Sequence, residues 1–89
     1  MNDLKIKELV LKIINKAIEK TATTEADVFV DFSGHVRSLR VCIHKNGYRL
    51  HDNNVLRKET YLEPKEEYML TKEDIINNLQ KIYDVIYAL

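Results

Sequence analysis

The apolar residues of this chain change their spacing twice, and that change restricts the possible folds more than any other feature. Over residues 3–21 they recur at helical intervals, over 26–43 they alternate, and over 71–89 they return to the helical interval. Side chains three to four apart line one face of a helix, whereas alternate side chains line one face of a strand. The chain therefore contains two one-sided helices around a one-sided sheet, and each apolar face needs a cover.

In the first helix Leu4, Leu11 and Ile18 recur every seven residues. Ile6, Val10, Ile13 and Ala17 form a second, adjoining stripe, which Leu9 and Ile14 widen. The combined face is broader than a single sheet requires, so this helix is expected to contact two things at once. Asn2 or Asp3 is placed to accept the free N–H groups of its first turn. In the last helix Thr71 is the expected N-cap, with Asp74 three residues on and Leu70 and Ile75 as a hydrophobic staple. Its stripe is Ile75, Leu79, Ile82, Ile86 and Leu89, flanked by Ile76, Tyr83 and Tyr87.

Between the helices, Val28, Val30 and Phe32 alternate with Asp27, Phe29, Asp31 and Ser33, and Ser33-Gly34-His35 marks a turn. Leu39, Val41 and Ile43 form the inward face of a second strand, and Ser38, Arg40, Cys42 and His44 point away. Asn46-Gly47 is a strong signal for a two-residue type I′ turn. That turn sets His44 opposite Arg49, Ile43 opposite Leu50 and Cys42 opposite His51. Residues 56–62, LRKETYL, extend this third strand or add another, and Pro64 ends it. The element order is α-β-β-β-α. The expected fold is a single α+β domain over 1–89, a two-layer sandwich with both helices on one face of an antiparallel sheet.

Cys42, His44 and His51 then share the outward face of the hairpin. Thiolate and imidazole ligands suit zinc, but a structural site needs four ligands and a catalytic one three plus water. No fourth ligand is evident, and His44 faces a cation, so no metal and no cofactor are expected. A nucleophilic cysteine also needs a base and an oxyanion hole. The two glycines, Gly34 and Gly47, make no phosphate loop. No catalytic residue is assigned, and the chain reads as a non-enzyme.

Charge is distributed unevenly although its sum is zero. Residues 35–58 carry six Lys/Arg against Asp52 alone, whereas 59–89 carry three Lys against seven acids. Phe29, Arg40, His44, Lys45 and Arg49 would form a basic face with an aromatic, a combination that holds nucleic-acid strands. The competing reading, which is preferred, is a protein-binding module that self-associates as a dimer, with Phe29, Tyr83 and Tyr87 as interface candidates. One cysteine, no signal-peptide pattern and no membrane-length apolar run point to the cytoplasm.

The stretch Val28-x-Val30-x-Phe32-Ser33-Gly34-His35-Val36-x-x-Leu39-x-Val41-x-Ile43-x-x-x-Gly47-Tyr48 resembles small uncharacterised proteins of phages and prophages of Gram-positive bacteria. That resemblance implies a cytoplasmic accessory protein with a host or phage protein as partner, and it carries over no functional residue. The element order is also that of the double-stranded-RNA-binding domain, but the similarity stops at topology. Where that family is basic, at the start of the second helix, this chain reads Thr71-Lys72-Glu73-Asp74.

Overall fold

A computed structural model describes residues 3–49 and 55–89. The first helix, α1 (Leu4–Thr23), starts where Asp3 accepts the Ile6 N–H, and its last turn is capped by Thr24, whose N–H and hydroxyl both bond to the Lys20 carbonyl. The sheet comprises β1 (Asp27–Ser33), β2 (Ser38–His44) and β3 (Val55–Tyr61), all antiparallel and in that spatial order. A short 3-10 turn (Glu66–Tyr68) leads into α2 (Lys72–Tyr87). Thr71 and Asp74 form a reciprocal capping box at its start.

The expected α-β-β-β-α sandwich is the observed fold. Leu39, Val41 and Ile43 of β2 are buried against Ile6, Leu9, Val10 and Ile13 of α1 and Ile75, Leu79, Ile82 and Ile86 of α2. Leu62, just past β3, completes this core. The two helices run parallel, side by side. Lys72 reaches Asp3 at 2.6 Å where both begin, and Lys20 lies 5.6 Å over the Tyr87 ring where both end.

The third strand differs from expectation. Ile43 faces Leu56, Cys42 faces Arg57 and His44 faces Val55, so the pairing inferred from a two-residue Asn46-Gly47 turn is incorrect. The two partners assigned to Ile43 and Cys42, Leu50 and His51, lie outside the described residues. The Gly47 N–H bonds to the His44 carbonyl at 3.0 Å, which makes Lys45 and Asn46 the central residues of the turn. A type I′ turn needs positive φ at both Asn46 and Gly47, and here only Gly47 has it, at 92°. The Tyr48 N–H then donates to Asp27 Oδ2 at 2.6 Å, directing the chain back over the start of β1 rather than alongside β2. The free edge of β2 is left to residues 55–61.

The first hairpin turn, by contrast, falls where Ser33-Gly34-His35 placed it. Ser33 pairs with Ser38, and the positive φ of the loop belongs to Arg37 rather than Gly34. The Arg37 guanidinium holds the loop by donating to the Gly34 carbonyl at 2.9 Å.

Candidate functional site

The cross-strand registers define two faces for the sheet. Val28–Ile43–Leu56, Val30–Val41–Lys58 and Phe32–Leu39–Thr60 form rows on the helix side. Asp27–His44–Val55, Phe29–Cys42–Arg57 and Asp31–Arg40–Glu59 form rows on the open side. The outward placement of Arg40, Cys42 and His44 survives the change of partner, because it is set by the alternation of β2 itself.

On the open face the candidate basic surface is not uniformly basic. Arg40 lies between Asp31 and Glu59 in register and approaches the Glu59 carboxylate at 3.9 Å. His44 is only 8% exposed. Its ring meets Phe29 at 5.3 Å and Tyr48 at 5.2 Å, both edge-on, and Phe29 and Tyr48 meet at 5.7 Å. The three rings close on one another, so His44 is part of a packed aromatic cluster. Lys45 and Arg49 are exposed, and Lys45 lies by the end of α2 with Val85, Ala88 and Leu89. Arg40 and Arg57 therefore share this face with Asp27, Asp31 and Glu59, a mixed field that favours phosphate much less than a basic groove would.

Cys42 lies between Phe29 and Arg57 in register. Of the suggested metal ligands, Cys42 and His44 share the open face, and His51 lies outside the described residues. Among the described residues no three His, Cys, Asp or Glu side chains are grouped to hold a metal ion. An open depression of about 460 Å³ beside Cys42 is lined by Arg40, Arg57, Lys58 and Glu59. A second, apolar one of about 360 Å³ lies between the end of α2 and the sheet, lined by Ile43, Lys45, Leu56, Val85, Ala88 and Leu89.

The interface candidates fall on two sides of the molecule. Phe29 is half-exposed on the open sheet face, in the aromatic cluster. Tyr83 and Tyr87 lie on α2, beneath ammonium groups from α1: Lys12 is 4.6 Å from the Tyr83 centroid and Lys16 is 5.3 Å from that of Tyr87. These cation–π contacts make the tyrosines part of the seam between the helices.

The surface that sequence reasoning left undecided is on α1. Of its two stripes, Ile6, Val10, Ile13 and Ala17 turn inward, along with Leu9. The other remains in solvent: Leu4 is 67% exposed, Leu11 55% and Ile18 65%. Seven residues advance a helix by 700°, only 20° short of two turns, so these side chains stay in one row. The row lies opposite Ile13, which is fully buried. Lys5, Glu8, Lys12 and Glu19 border it on the α2 side and Lys7 on the other, all exposed. Lys16 and Glu19 pair at 2.8 Å along the helix. Hydrogen bonding by Lys16 holds the Glu19 carboxyl below its ordinary range and raises the Lys16 ammonium correspondingly.

The geometry defines an α+β sandwich with one apolar row left outside its core. Comparison with protein-family models, with curated proteins and with solved structures gives no match. Among the described residues no helix is long and apolar enough to cross a membrane.

Proposed function

We propose that the protein is a non-enzymatic interaction module that acts by binding protein, a second copy of itself included, as a cytoplasmic accessory protein of a phage or prophage. The mobile-element part of this reading is supported by the resemblance of residues 28–48. The binding part is carried by one observation, the exposed row Leu4, Leu11 and Ile18 on a helix whose opposite side already fills the core. Single exposed apolar side chains are ordinary on protein surfaces, but three aligned on one helix face form the seam along which helices associate.

Light scattering over a concentration series tests this. The native chain is expected to be a dimer at high concentration and to approach a monomer on dilution. Leu11→Lys is expected to be monomeric throughout, with an unchanged circular dichroism spectrum. A native chain that is monomeric at every concentration contradicts the proposal.

A further inference from the structure

We infer that the free edge of β1, at Val30 and Phe32, receives an extended segment of a partner protein, with apolar and basic residues in alternation, as a fourth strand of the sheet. This edge is separate from the outer row of α1 and does not depend on self-association. The register fixes which backbone groups are free. The Leu62 N–H bonds to the Arg37 carbonyl at 2.7 Å, one step beyond the Ser38–Tyr61 pair. Hydrogen-bonded pairs alternate along an antiparallel ladder, so Leu39, Val41 and Ile43 exchange bonds with β3. Ser38, Arg40, Cys42 and His44 then turn their N–H and C=O groups toward Ser33, Asp31, Phe29 and Asp27. Val28, Val30 and Phe32 are left pointing outward. The Val28 N–H agrees, since it donates to the Thr21 hydroxyl of α1 at 3.1 Å. Among the described residues nothing accepts from the Val30 or Phe32 N–H.

Exposed edges are normally guarded by lysine, other charges, proline or a bulge. The other edge, β3, carries Arg57, Lys58 and Glu59 in succession, whereas β1 reads DVFVDFS, with no cation and no proline. A second copy does not fit here. Joining two β1 edges antiparallel about a two-fold axis sets both helix layers on one side of the sheet. Because α1 packs on β1, two α1 helices would stand over strands ~4.8 Å apart, whereas packed helices need about 8–10 Å. A lone strand brings no helix. The cover of α1 also thins along β1: Val28 and Val30 are half-buried, and Phe32 is 51% exposed. Side chains of the added strand that flank Val30 and Phe32 meet apolar surface. Those on the open face meet Asp31, which is exposed and whose cross-strand partner Arg40 pairs with Glu59 at 3.9 Å on its far side. A lysine or arginine belongs there.

The probe is a blocked heptapeptide alternating valine and lysine, titrated into the isotope-labelled native chain. The expected result is that amide shifts move along β1 and that exchange with deuterium slows severalfold at Val30 and Phe32, as new hydrogen bonds require. The matching valine–glutamate peptide is expected to bind severalfold more weakly, and Asp31→Lys to reverse that order with an unchanged circular dichroism spectrum. No binding at millimolar peptide, binding that leaves exchange at Val30 and Phe32 unaltered, or slowed exchange at Arg57 and Glu59 instead overturns the edge assignment. Equal affinity for the two peptides overturns the basic partner. Peptide binding by a chain that light scattering finds monomeric throughout supports the edge site and contradicts self-association.

Discussion

Individual residues decide how the helices begin, and two carboxylates carry that role. Asp3 caps α1 and receives Lys72 from α2, so one side chain joins the starts of both helices. The hydrogen bond from Lys72, helped by the Ile6 N–H, holds the Asp3 carboxyl below its ordinary range. Asp74 is likewise lowered, chiefly by the Thr71 N–H and also by the Thr71 hydroxyl. Both groups bind a proton more weakly in the folded chain than in the unfolded one. Their contribution to stability is therefore present above pH about 4 and lost as pH falls through their lowered values. Urea unfolding at a series of pH values checks this. Asp3→Asn and Asp74→Asn are each expected to reduce the slope of stability against pH between about pH 5 and 2, whereas slopes parallel to the native one would count against these roles. The Thr71–Asp74 cap was readable in the sequence, since both residues and their spacing are on the page. The Asp3–Lys72 link was not, because it joins residues 69 apart whose proximity depends on the helices running parallel.

At the level of elements, the two stripes of α1 have unequal roles. Leu79 on α2 is fully buried, as is Ile13 on α1, while Leu11 on the outer row of α1 remains in solvent. Leu79→Ala is expected to destabilise the fold by about 2–5 kcal/mol, since a well-packed site relaxes only partly around the missing atoms. Leu11→Ala is expected to change the stability of the dilute monomer by less than about 0.5 kcal/mol. Chemical denaturation at low concentration measures both, and comparable losses would show that the outer row is needed for the monomer fold. Both stripes are legible in the sequence, but not which of them faces inward, because hydropathy is similar in the two. The choice follows from tertiary packing: the stripe that joins Leu39, Val41 and Ile43 also has to meet α2. The third strand was misplaced for a comparable reason. Asn46-Gly47 is favourable for a hairpin in isolation, but the competing hydrogen bond from Tyr48 to Asp27 acts across 21 residues and is not a local signal. Sequence alternation nevertheless set the face of β2 correctly, since period two does not depend on which strand is adjacent.

For the whole molecule, a small domain has limited means of covering its apolar surface. A chain of 89 residues buries only roughly 60–65% of what it exposes unfolded. Two helices suffice to cover one face of a three-stranded sheet, and the width of α1 then leaves a row with no intramolecular cover. On the other side, the aromatic cluster of Phe29, His44 and Tyr48 reduces exposed apolar area by packing rings against each other, and the mixed charges around Arg40 discourage a single-sign partner. The proposed association therefore falls on the helix layer and not on the open sheet. An isotope-labelled amide spectrum recorded over a dilution series tests that assignment directly. The predicted result is that shifts moving with concentration cluster on the outer side of α1, at Leu4, Lys7, Leu11, Asn15 and Ile18. Concentration-dependent shifts confined to Phe29, Arg40, Cys42 and the rest of the open sheet face, or none at all, would contradict it.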